Sequence, residues 1–179
     1  MAELRKTILT PDLVRSLMTQ FKLSQHSVHG AAHWMRVRKN GLALAERTGA
    51  NKTVVELFSV FHDSCRHNDY EDPEHGYRGA QLAQSYFQKG LLPCNERELD
   101  QLVEACIGHT HDLTHPDTTV ATCWDADRLD LPRCWIEVDP MRLATVEARD
   151  RELIGWADGN AKNWLSKSYT RGSESNRTK

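Results

Sequence analysis

The stretch NKTVVELFSVFHD, Asn51 to Asp63, decides the fold. Asn51 is a good helix cap, because its side chain can accept from the free N–H groups of the first turn. Val54, Val55, Leu57, Phe58, Val60 and Phe61 then cover almost the whole circumference, which predicts a central, buried helix. The apolar run ends abruptly at His62-Asp63. Two polar residues at that point cost burial energy unless something satisfies them. Successive helical residues point about 100° apart. His62 can therefore hold a metal from one side while Asp63 reaches it, or bridges to a second ion, from the other. The ordinary alternative is a helix C-terminus at which a histidine complements the dipole.

Helices extend on both sides of this segment. Thr10-Pro11 is a cap and first-turn pair, followed by Leu13, Leu17, Met18 and Phe21 at helical spacing. A helix is predicted from about Gly30 to Arg47, ending at Thr48-Gly49. After the polar loop HNDYEDPEHG, Pro73 opens a helix through about Lys89, stopped by Gly90. Asn95 and Glu98 have capping-box spacing and start a helix through about Ile107. A second polar loop, HTHDLTHPDTT, leads to a short helix over Thr119–Asp127, and Asp139-Pro140 is read as the start of the last long helix. The one competing strand pattern is Cys134 to Val138. The class is all-α: a single helical domain over 1–165, with a polar, mobile tail at 166–179.

Composition narrows the function. A chain of 179 residues suits one domain that buries its own core. With 23 Lys and Arg against 25 Asp and Glu, there is no basic excess to hold a phosphate backbone, so stable nucleic-acid binding is not expected. Apolar runs fall short of the ~20 residues a membrane span needs. The opening MAELRKTILTPDL lacks the apolar core of a signal peptide. Five cysteines without CxxC spacing point away from a disulfide framework and toward a reducing cytoplasm. The unusual count is histidine, nine in all, eight of them between positions 26 and 111.

His33 sits in HGAAHWMRV with His29 one turn earlier; Gly30 stands where the catalytic Glu of an HExxH zinc protease would be, so that reading is rejected. Asp125, Asp127 and Asp130 lie in CWDADRLDL among Trp124, Leu129 and Leu131. A carboxylate cluster that packs inward needs cations, and Arg128 alone does not supply enough. The bland reading is a solvated charge run. His26, His67, His111 and His115 are read as solvent-facing.

A histidine, a distant His-Asp doublet and an Asp just before Arg, in that order and on helices, resemble the HD superfamily of metal-dependent phosphohydrolases. The resemblance covers roughly Val28 to Leu131. It implies His33, His62, Asp63 and Asp127 as ligands of one divalent transition metal. His75 in HGYRGAQLA and His109 in CIGHTHD resemble the extra histidines of two-metal HD proteins, bacterial dinucleoside tetraphosphate hydrolases among them, with Asp63 as bridge. Iron, manganese, cobalt, nickel or zinc suits such a set better than calcium. The implied activity is hydrolysis of a nucleotide or other small phosphate ester by metal-activated water. Arg66, Arg128 and His29 would neutralise phosphoryl charge, and Asp130 would act as general base or as an orienting partner.

Arg66 stands where some HD nucleotidases carry a catalytic Glu. Its planar, permanently charged group suits gripping a phosphate; the alternative is a surface pair with Asp69 or Glu71. Two other functions share the same ligands: a mixed-valent di-iron oxygenase, and a nucleotide-binding sensor with little turnover. Substrate identity and oligomeric state are not written in the sequence.

Overall fold

The computed structural model describes residues 8–24 and 26–175, with side chains as far as 163. Seven α-helices carry it: α1 (Pro11–Gln20), α2 (Ala31–Thr48), α3 (Lys52–Phe61), α4 (His75–Gln88), α5 (Glu96–Gly108), α6 (Thr118–Arg128) and α7 (Arg151–Ser175). Among the described residues there is no strand, and no helix is long and apolar enough to cross a membrane.

The helix starts follow from local chemistry. Thr10 Oγ1 accepts from Leu13 N at 3.2 Å, with Pro11 in the first turn. Asn51 Oδ1 accepts from Thr53 N and Val54 N. Asn95 and Glu98 form a reciprocal capping box, and Asp117 caps α6 through Thr119 N and Val120 N. Gly49 closes α2 with φ 75°, a left-handed conformation that glycine adopts without penalty.

Helix α3 is the axis of the core. Every residue from Val54 to Phe61 is buried, and α2, α4, α5 and α6 pack around it. Each fully buried large apolar side chain contributes about 1.5–3 kcal/mol, and α3 supplies Val54, Val55, Leu57, Phe58, Val60 and Phe61. Helix α4 can approach the end of α3 only because Gly79 lacks a side chain. A Cβ there would lie 2.5 Å from the Phe61 carbonyl oxygen. That approach sets His75, one turn earlier, beside the His62-Asp63 doublet.

The segment after α6 departs from the sequence reading. The last long helix begins at Arg151, not at Asp139-Pro140, and Pro140–Arg142 and Glu147–Arg149 are single 3₁₀ turns. The cause is Asp125. Its buried carboxylate accepts from Ala144 N at 2.6 Å, Thr145 N at 2.7 Å and Thr145 Oγ1 at 2.7 Å, drawing those amides out of any helical ladder. Asp150 then accepts from Glu152 N and restarts the helix. Cys134–Val138 is not a strand: Leu131–Cys134 is a 3₁₀ turn that ends at Trp135 with φ 61°. The backbone of α7 continues past Leu165 to Ser175. The side chains from 164 on and residues 176–179 lie outside the described residues, and so does the expected mobility of 166–179.

Candidate metal centre

Five helices deliver polar groups to one end of the bundle. His33 lies in the first turn of α2, His62 and Asp63 follow α3, and Asp127 is next to last in α6. His75 opens α4 and His109 follows α5. All but Asp127 are essentially buried, and Asp127 is partly buried.

The first group is closed around His33. His33 Nε2 lies 3.0 Å from His62 Nε2, 3.4 Å from Asp63 Oδ2 and 3.3 Å from Asp127 Oδ1. His62 Nδ1 donates to Phe58 O at 3.0 Å, which fixes its tautomer and leaves Nε2 a bare acceptor. His33 Nδ1 donates to Asp130 Oδ2 at 2.7 Å, so the neutral ring also presents a bare Nε2. Asp127 Oδ1 is buried and accepts no hydrogen bond. With both rings neutral, two imidazole nitrogens and two carboxylate oxygens thus converge with no proton between them. Such a group is costly to bury unless a cation joins it.

The charge states express the same demand. Burial and Arg133 oppose a charge on His33, yet contacts with Asp127, Asp130 and Asp63 raise its pKa to about 9. Burial drives His62 down to about 3 despite Asp63 and Asp127. Burial works against the Asp63 anion, but His62 and the close contacts of His29, His33 and His75 hold its carboxyl well below the usual range. Asp127 is held well below that range in the same way, against burial, by His33, His62 and Arg133.

The second group shares Asp63. Its Oδ1 lies 3.1 Å from His75 Nε2 and 3.9 Å from His109 Nε2, and those two nitrogens are 2.9 Å apart. His75 Nδ1 donates to Asp72 O and His109 Nδ1 to Cys106 O, so both Nε2 atoms are again bare. Atoms bonded to one ion at about 2.1 Å stand about 3.0–3.4 Å apart as neighbours. In the first group the separations that involve His33 or His62 run from 3.0 to 3.8 Å, and those in the second group run from 2.9 to 3.9 Å. Both sets fit a divalent transition metal in donor type and spacing, and one Asp63 oxygen faces each.

His29 Nδ1 lies 2.7 Å from Asp63 Oδ2, near enough to His33 and Asp63 to form a third potential ligand group. Asp130 is fully buried behind His33, with Arg36 Nε and Nη2 donating to its two oxygens at 2.7 and 3.0 Å. It does not line the cavity above the site. A general base must reach the reacting proton, so of its two expected roles the orienting one suits this position.

That cavity has a volume of about 480 Å³, with His29, Asp63, His109 and Asp127 at its floor and Arg66, Arg128, Arg133 and Arg142 in its walls. Arg66 is buried and pairs with neither Asp69 nor Glu71. Its Nη2 donates to Tyr70 O at 2.7 Å, Nε to Asn68 O, and Nη1 faces Asp63 and His75. Arg128 donates to the carbonyls of Asp112 and Leu113 and leans over Trp124. Of the remaining histidines, His26, His67 and His111 are exposed, whereas His115 lies edge-on to Trp124.

Sequence reasoning missed Arg36 and Arg133. Arg133 is buried, donates to Val28 O at 2.9 Å and lies 3.9 Å from Asp127 Oδ1 and 3.8 Å from Asp130 Oδ2. Each of the two follows a named site residue by three positions, Arg36 after His33 and Arg133 after Asp130. That spacing puts Arg36 on the face of α2 that carries His33, from which it reaches Asp130 behind the ring.

No family model and no curated protein matches the sequence. One solved structure matches in fold: a predicted HD superfamily hydrolase from an uncultured Thermotogales bacterium, determined at 1.45 Å resolution. It superposes with a TM-score of 0.65 at 18% identity, over 89% of this chain and 91% of that one. The chain is therefore an all-α protein with the HD-type helical fold, and its His and Asp groups at this end of the bundle could hold metal.

Proposed function

We propose that this protein is a divalent-metal-dependent phosphohydrolase acting on a nucleotide or other small phosphate ester. The observation that carries the reading is the convergence of two imidazole nitrogens, from His33 and His62, and two carboxylates, Asp63 and Asp127, beneath a cavity that the carboxylates line and arginines wall. Those four residues would hold the ion, drawn from iron, manganese, cobalt, nickel or zinc. When bound, such an ion supplies Lewis acidity toward a phosphoryl oxygen and lowers the pKa of water to about 7.

The chain's own residues do the rest. Asp130, itself gripped by Arg36, holds the His33 ring in the tautomer that turns Nε2 toward the site. Arg66, Arg128 and Arg133 line the cavity and would offset charge on a phosphoryl group. His29, against Asp63, is placed to hold or pass a proton beside the floor. The second histidine pair keeps dinucleoside polyphosphates among the candidate substrates.

The test is a panel of nucleotides, dinucleotides and simple phosphate esters, assayed with apo protein and with each metal, alongside oxygen uptake. Metal-dependent phosphate release supports the reading. Oxygen uptake without phosphate release assigns the site to an oxygenase, and tight nucleotide binding without turnover assigns it to a sensor.

A further inference from the structure

We propose that Arg66 occupies the second ion's place, so that the Asp63–His75–His109 site fills only when the guanidinium withdraws. The proposal rests on the metal-centre reading above and concerns what regulates its second half.

The geometry is specific. His75 Nδ1 and His109 Nδ1 are committed as donors to the carbonyls of Asp72 and Cys106, so each Nε2 can only accept. Arg66 Nη1 lies 3.2 Å from His75 Nε2 and 3.3 Å from Asp63 Oδ1. Those are two of the three atoms a second ion needs. A lone pair that accepts an N–H cannot at the same time bind a cation. Arginine cannot yield by losing its proton, because it stays charged at any ordinary pH. It must move, or the ion stays out, and the like charges repel each other meanwhile.

Arg66 is also anchored where it stands. Tyr70 O and Asn68 O accept from its Nη2 and Nε at 2.7 and 3.3 Å, and the side chain is buried. The anchoring carbonyls belong to the loop between α3 and α4, so withdrawal would free that loop. At the His33–His62 side, among the described residues, the Arg133 guanidinium stays 3.9 Å from Asp127 Oδ1, and the contact on a ligand there is the His29 ring, 2.7 Å from Asp63 Oδ2, not a guanidinium. Arg66 does not satisfy the third ligand: His109 Nε2 faces His75 and Thr110 Oγ1, at 2.9 and 3.3 Å. The second site is thus assembled but held by a guanidinium that fits two of its three ligands.

The experiment is a Mn²⁺ titration of apo protein by calorimetry, with metal content measured after desalting. Wild type should bind one ion tightly and a second weakly. Arg66→Gln and Arg66→Met should tighten the second by roughly ten- to a hundredfold, the worth of a displaced charge-assisted hydrogen bond, and leave the first unchanged. Adding His109→Ala to Arg66→Gln should return the second ion to weak binding, which general loosening of the fold would not do. A second-ion affinity that is the same in wild type and both variants overturns the proposal.

Hydrogen exchange on wild type gives an answer independent of any variant's folding. Exchange over residues 66–72 should rise on addition of the second equivalent of Mn²⁺ and not the first; no rise overturns the proposal. A first ion bound normally with a second indifferent to residue 66 defeats only this inference. No ion bound at all defeats the metal-centre reading with it.

Discussion

The two oxygens of Asp63 look into surroundings of different construction. On the Oδ2 side, His33 is backed by a carboxylate, Asp130, which Arg36 holds with two hydrogen bonds. On the Oδ1 side, His75 and His109 are backed by backbone carbonyls, and an arginine N–H already points into the group. A carboxylate behind an imidazole makes it a stronger ligand than a neutral acceptor does. The first side also brings a second carboxylate, Asp127, and the second side does not. Two clusters built from the same residue types are therefore unequal, and the inequality lies in the groups behind and beside the ligands.

The largest expected effect comes from the first side. His62→Ala or Asp127→Ala should strip the tightly held ion and lower turnover by at least about a thousandfold. Metal analysis and steady-state kinetics read both. Full metal content in these variants would erase the distinction between the two sides.

Asp130→Asn tests the backing group alone. The ligands remain, but the carboxylate behind His33 is gone, and affinity for the first ion should fall about 10–100-fold. Competition against a chelator measures it. If Asp130→Asn binds metal as tightly as wild type, the two sides do not differ for the reason given.

A smaller effect appears in the pH dependence of the apo protein. In the folded protein the His33 pKa is raised, against burial, to about 9 from an ordinary value of 6.5, by Asp127, Asp130 and Asp63. A raised pKa contributes stability that is fully present below the unfolded value and is lost as pH rises through the folded one. The apo melting temperature should therefore decline between about pH 6.5 and 9 by more than that of the metal-loaded protein, in which the ion replaces the proton. Parallel melting curves for the two forms would count against this.

The central helix and its doublet were legible because an all-round apolar run that stops at His-Asp has few physical explanations. The capping residues Thr10, Asn51 and Asn95 were legible for the same local reason. His33, His75, His109 and Asp127 could be singled out only by their pattern, since a lone histidine or aspartate on a helix carries no signal of its own. What stayed hidden was long-range. Arg36 and Arg133 carry no local signal, and only the fold buries them against Asp130. The helix expected from Asp139 was undone by Asp125, whose carboxylate takes amides nineteen and twenty positions away in the chain. Arg66 read as a phosphate grip or a surface pair, and only the fold brings it onto His75.

The most direct test is anomalous diffraction from crystals given limiting and then excess Mn²⁺. At one equivalent, a single peak should lie among His33 Nε2, His62 Nε2, Asp63 Oδ2 and Asp127 Oδ1. A second peak beside His75 and His109 should appear only in excess, with Arg66 turned away. A first peak at His75 and His109, or none at either side, would contradict the account.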